Sequence, residues 1–233
     1  MKSLLGVFLL LPLFAFPQFN YKKMSVSLGG GIAVPHTDIT DFSYEPVVNG
    51  AFHYNITPYA AVGIDAEVGK LTGNYHKTLE FTNKFVAAAL DARLQMGQFT
   101  GKNPSGFRAV LSRLYVGAGL GMIHSNAESG PPEIIERGID GPPPGPTEDL
   151  MPNQYKGSDI IAPVFVGANI PVMRELDLEV LTLFINYRLN ISFSDELDAI
   201  ASSASTANDF FSTLSVGLRF NFGSKAPYFS GAY

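Results

Sequence analysis

Ser215-Val216-Gly217-Leu218-Arg219-Phe220-Asn221-Phe222 is the stretch whose pattern decides the fold. Leu214, Val216, Leu218, Phe220 and Phe222 fall on one face of an extended chain, and Thr213, Ser215, Gly217, Arg219 and Asn221 on the other. Alternation of this length marks a strand that is apolar on one side only. The apolar face ends on two aromatics, residues that gather where a strand leaves hydrocarbon for headgroups. The pattern predicts the last strand of a transmembrane β-barrel, the one that closes onto the first.

As a motif, the stretch resembles the C-terminal signal of bacterial outer-membrane barrels. Ser215, Gly217, Phe220 and Phe222 match it in order. The resemblance implies that barrel-assembly machinery reads these residues during insertion. One departure is that the family usually ends on the aromatic, whereas this chain runs on from Gly223 to Tyr233.

Composition narrows the classes. Charged residues make up 16% of 233, against a usual ~25%. Past the first residues no apolar run reaches the ~18 needed for a membrane helix, while a barrel conceals its hydrophobicity by alternation. A net charge of −5 speaks against a nucleic-acid partner, which requires clustered Lys and Arg. The chain has no Cys, which excludes disulfides, thiolate metal sites and Cys nucleophiles.

Residues 1–17 read as a signal peptide, with Lys2 ahead of an apolar stretch from Leu4 to Phe14 and cleavage before Gln18. Residues 18–223 then hold eight alternating segments. They begin near Met24, Val47, Tyr59, Phe85, Ser112, Asp159 and Leu176, with the closing strand last. The seventh changes phase, and a bulge near Leu181-Thr182 would keep Asp177, Glu179, Asn186 and Arg188 inside. Connections alternate in length. Ile56–Pro58 and Pro171–Glu175 are short and Gly97–Phe107 moderate. His36–Glu45, Leu71–Lys84, Asn126–Gly157 and Ile191–Asp209 are longer. Residues 126–157 are Pro/Gly-rich and read as an extended extracellular loop. Residues 224–233 form an aromatic tail, in which Tyr228, Phe229 and Tyr233 are candidates for partner docking.

The expected fold is all-β: an eight-stranded antiparallel up-and-down transmembrane β-barrel with short periplasmic turns and long extracellular loops. Over residues 24–222 the pattern resembles the small OmpA-like outer-membrane barrels, particularly those of Bacteroidota. The carriers are Gly29-Gly30-Gly31, Tyr115-Val116-Gly117-Ala118-Gly119-Leu120-Gly121 and the closing strand. The peptidoglycan-binding domain common after such barrels is not in this sequence. The resemblance implies a Gram-negative outer membrane, with both mature termini periplasmic and with outer-membrane lipid and lipopolysaccharide as surroundings.

Inward parity collects Asp65, Glu67, Asp91, Asp177 and Glu179 with Arg93, Arg113, Arg188 and Arg219. An eight-stranded barrel has room inside for side chains alone, so this set reads as a closed, salt-bridged plug. A narrow carboxylate-lined ion path is the alternative. The inward glycines make space for Tyr115, Phe165 and the arginines.

Signals for chemistry are weak. His124-Ser125-Asn126-Ala127 resembles the His-x-Ser-Asn-Ala of PagL-type lipid A deacylase barrels, but is one residue short. Adjacent strand residues face opposite ways, so His124 would meet lipid and Ser125 the lumen. His36, His53 and His76 lack metal-ligand spacing. Gly97–Asn103 lacks the spacing of a phosphate loop. No catalytic residue, metal or cofactor is expected. The sequence points to a non-enzymatic barrel, a structural or accessory subunit of an envelope complex, with a narrow pore or a lipid A-modifying enzyme as alternatives.

Overall fold

The computed structural model describes residues 16–36, 41–75, 79–100, 104–130, 154–176, 178–193 and 209–230. Eight long strands carry the chain: β1 (Phe16–His36), β2 (Glu45–Asn55), β3 (Ala60–Tyr75), β4 (Leu79–Gln95), β5 (Leu114–Gly130), β6 (Gln154–Glu175), β7 (Leu178–Ser192) and β8 (Phe210–Ser230). Each pairs antiparallel with the next, and β8 returns to β1 over an almost unbroken register from Met24↔Phe222 to His36↔Phe210. The sheet is therefore a closed ring, an up-and-down barrel without a free edge through its body.

Alternation sorts the side chains. On β8, Thr213, Ser215 and Arg219 are buried, while Leu214, Val216, Leu218 and Phe220 are about half exposed. The same holds around the ring: Leu28, Leu90 and Leu120 are 68%, 67% and 60% exposed. Water is a poor neighbour for a continuous apolar wall of this kind, whereas hydrocarbon suits it. From Val86 to Met96 every outward residue of β4 and its end is apolar. At ~3.3 Å per residue and a tilt of about 40°, that belt is roughly 25 Å tall, which matches a bilayer core. Beyond it the outer face turns polar at Lys84, His124, Asn126, Lys156 and Ser158.

Several sequence-based boundaries move. Leu71–Lys84 is mostly ladder rather than loop, with Leu71↔Asn83, Thr72↔Thr82 and Gly73↔Phe81 in register. Its Leu71, Phe81 and Asn83 point inward and are buried, which holds the hairpin upright past the polar rim. A two-residue strand at Asp41–Phe42 leans on the same hairpin. β5 continues to Gly130 and β6 starts at Gln154, so both ends of the region read as the 126–157 loop are strand. Its proline runs, at 131–132 and 142–146, lie outside the described residues. The moderate turn after β4 contains two short helical turns, α1 (Gly97–Thr100) and α2 (Phe107–Leu111).

The expected bulge is present, one residue early. Opposite Met173 and Arg174 of β6 stand Leu181 and Glu179, so Val180 is the extra residue on β7, and Val172 is its counterpart on β6. The insertion keeps both Glu179 and Thr182 on the lumen side.

The C-terminal stretch differs from an isolated tail. β8 continues to Ser230, with Lys225↔Lys22, Ala226↔Tyr21, Pro227↔Asn20 and Tyr228↔Phe19 paired. Gly223 takes φ +88° at the irregularity between the two registers, a conformation that suits glycine. β2 begins pairing with β1 at Met24 and β7 stops pairing with β8 at Phe220. The segment beyond is therefore a two-stranded ribbon that runs past the ladders of the neighbouring strands, tied to the end of β2 where Tyr21 donates to Ile56 and Asn55 to Lys22. β1 starts at Phe16, so Phe16 and Pro17 of the 1–17 segment belong to this ribbon, and residues 1–15 lie outside the described ones.

Candidate functional site

The lumen is built in three tiers. Farthest from the termini lies an apolar cap formed by Ala33, Val47, Leu71, Phe81, Phe85, Ala87, Ile123, Ile161 and Phe211. Phe85 and Phe211 meet with ring centroids 4.9 Å apart. The inward-charge reading missed this tier. Phe81, Phe85 and Phe211 sit where loops were expected or at strand starts, so their parity was not followed inward.

The middle tier is the carboxylate–arginine cluster. Arg188 of β7 reaches Asp65 of β3 at 2.7 Å, Glu67 at 3.7 Å and Asp91 of β4 at 3.9 Å. Asn190 and Thr213 donate to Glu67 at 3.2 and 3.1 Å, tying β7 and β8 to β3 across the barrel. His53 of β2 contacts Asp91 at 2.9 Å through Nε2. Sequence reasoning left His53 out of the network, although its place between outward Phe52 and Tyr54 carries the signal. A gap of about 20 Å³ beside His53, Asp65, Asp91 and Arg188 has room for about one water.

The third tier stacks arginines on aromatic rings. Arg93 and Arg219 lie 5.4 and 5.7 Å from the Tyr115 centroid, and Arg219 also lies 5.5 Å from Phe184. Arg188 covers Phe165 at 5.2 Å. Inward glycines make these rings possible. A Cβ at Gly117 would overlap the Phe165 ring, and one at Gly29 or Gly217 would come within 2.7 Å of Phe184. Arg219 donates to Asn169 at 2.7 Å, and Asn169 in turn donates to Gln95 at 3.2 Å.

Below that tier, at the end that carries the termini, the barrel opens into a cavity of about 530 Å³. Arg113 and Arg174 both reach Glu179, at 2.7 and 3.2 Å. Tyr59 lines the rim from the β2–β3 turn. Burial, with a smaller push from Glu179, raises its phenol above the usual value, so it stays a neutral donor at neutral pH.

Of the nine lumen charges expected, the structure gathers Asp65, Glu67, Asp91 and Arg188 in one cluster, Arg93 and Arg219 around Tyr115, and Arg113 and Glu179 at the mouth. Asp177 lies outside the described residues.

The barrel has likenesses among solved structures. No family model and no curated relative match the sequence. Neisserial surface protein A (NspA) is 13% identical, over 88% of this chain and 99% of that one, with a TM-score of 0.47. Ail, the attachment invasion locus protein of Yersinia pestis, solved with the heparin analogue sucrose octasulfate, is 11% identical over 84% and 97%, with a TM-score of 0.45. The N-terminal β-barrel domain of Pseudomonas aeruginosa OprF is 11% identical over 85% and 98%, with a TM-score of 0.36. The fold itself rests on the closed ring of ladders.

Among the residues of the closing motif, Ser215 is buried, Gly217 receives the Phe184 ring, and Phe220 stacks on Phe222 at 6.0 Å on the outer face. Tyr228 is paired within the ribbon and Phe229 follows it in β8, while Tyr233 lies outside the described residues. His124 is outward and Ser125 fully buried, so the two do not meet. His124 Nδ1 instead meets Ser158 Oγ, its cross-strand neighbour, at 2.9 Å. Among the described residues no group of three or more His, Asp or Glu side chains is placed to hold a metal ion.

Proposed function

We propose that this protein is a non-enzymatic outer-membrane β-barrel, of the small OmpA-like kind found in Bacteroidota, that serves as a structural or accessory subunit of a cell-envelope complex. The observation that carries the reading is the filled lumen under a complete apolar belt. A cap of nine apolar residues and a tier of paired charges occupy the bore, so the work falls to surfaces. The lipid-facing wall would meet outer-membrane lipid and lipopolysaccharide. The β1–β8 ribbon offers two strand edges on which a partner segment could add. In this reading the ribbon and termini are periplasmic, and Ser215, Gly217, Phe220 and Phe222 serve the assembly machinery.

The test is extraction in mild detergent, capture of the tagged protein and mass spectrometry, comparing the full chain with one stopped after Gly223. Partners that disappear with the truncation support a subunit docked through the ribbon. A barrel that emerges alone in both forms overturns it.

The outward His124–Ser158 contact favours a second reading, a lipid A-modifying enzyme. It lacks an orienting acid, since no hydrogen bond or ion pair joins a carboxylate to His124 among the described residues. Lipid A mass spectra from cells with the natural protein and with Ser158→Ala decide it, because an enzyme of this site would change acylation only when Ser158 is present.

A further inference from the structure

We propose that the cavity at the terminal end of the barrel binds a small phosphate monoester, with its phosphate held between Arg93 and Arg219. Charge is the first ground. Among the described residues the wall carries Lys22, Arg93, Arg113, Arg174 and Arg219 against one carboxylate, Glu179. Glu179 is already shared by Arg113 and Arg174. Arg93 and Arg219 have no carboxylate within ion-pair distance among the described residues. The acids on the tier above are engaged elsewhere, Asp65 with Arg188 and Asp91 with His53.

Position is the second ground. Both guanidiniums lie against the Tyr115 ring, 5.4 and 5.7 Å from its centroid, and both line the inner wall of the cavity. Arg219 is 7% exposed, and among the described residues its Nε has no hydrogen-bond acceptor. Planar guanidinium forks match the spacing of phosphate oxygens, and a dianion there would offset both charges. The cavity is blind: the carboxylate tier and the apolar cap close it behind Arg93 and Arg219.

Size and surroundings set the class. At about 530 Å³ the cavity falls in the usual range for small-molecule sites and has room beyond the phosphate for an organic moiety. Tyr59, Thr100 and Gln95 supply neutral polar groups for it. A dianion suits the excess of bases among the described lining residues better than a monocarboxylate does.

The experiment is isothermal titration of the full-length barrel in dodecyl maltoside, whose headgroup carries no phosphate. Glycerol 3-phosphate is the probe, with glycerol and inorganic phosphate beside it. The expected result is saturable binding of the ester, weaker binding of inorganic phosphate and none of glycerol. Arg93→Gln combined with Arg219→Gln should weaken the ester at least tenfold, while Arg108→Gln, exposed on α2 outside the cavity, should leave it unchanged. No saturable heat with the ester, equal affinity for inorganic phosphate, or an unchanged double variant overturns the proposal. If the double variant does not fold, Arg113→Gln combined with Arg174→Gln decides instead: weakened binding supports the site, and unaltered binding overturns it.

Discussion

Arg188 is the hub of the lumen. It faces three carboxylates from β3 and β4 and rests on the Phe165 ring, while only 4% of its side chain is exposed. Arg188→Met would leave Asp65, Glu67 and Asp91 crowded together without the guanidinium that all three face. Stranding buried charges in this way costs about 3–5 kcal/mol, and urea unfolding in lipid vesicles should show a large fall in midpoint. Asp65→Asn removes one of three competing acids and leaves Arg188 with the other two, so its midpoint should fall much less. Equal losses would mean that the cluster is a set of independent pairs. That these residues point inward was legible from parity alone, since Asp65, Glu67 and Asp91 each sit between apolar neighbours on an alternating strand. Their pairing was not. Asp65 on β3 and Arg188 on β7 face each other across the bore, and that meeting depends on strand tilt and stagger, which no single strand encodes.

The strands were legible where one face is apolar and the other small or polar, as in β5 and β8. Their ends were less so, because a strand that leaves the bilayer loses its apolar outer face and reads as loop. The upright β3–β4 hairpin is the clearest case, held by inward Leu71 and Phe81 rather than by outward residues. The position of the bilayer along a strand can be tested within one element. Leu120 is in the middle of the β5 belt, and Asn126 is on its polar extension. Leu120→Arg should cost about 2–4 kcal/mol, and Asn126→Arg about 0–1 kcal/mol, as read from unfolding midpoints in vesicles. Similar losses at both positions would remove the belt. The ribbon makes its own prediction. A chain stopped after Gly223 should fold with an intact barrel, yet the Asn20–Lys22 amides should lose hydrogen-exchange protection because their partners Lys225–Pro227 are gone. Unchanged protection would mean that these residues are held by something other than β8.

At the scale of the whole barrel, polarity changes in steps along the bore: an apolar cap, a tier of paired charges, then a basic mouth. Two different seals in series imply that neither alone decides whether ions pass. The cap resists water because its rings and aliphatic chains offer it no hydrogen bonds, and the charge tier blocks because its side chains fill the cross-section and hold one another. In a planar bilayer the natural protein should therefore give no unitary current. Phe85→Ala combined with Phe211→Ala should empty much of the cap. At about 3–5 kcal/mol for each buried aromatic removed, the double variant should unfold at clearly lower urea, provided it is recovered folded. It should still be electrically silent, since Arg188 with Asp65, Glu67 and Asp91 remains across the path. Adding Asp65→Ala and Arg188→Ala to that background removes the second seal, and there a small, noisy conductance is expected. Current through the cap variant alone would show that the charge tier is porous and the aromatics are the gate. Current through the natural protein would reinstate the pore reading, with the basic mouth as its selectivity element.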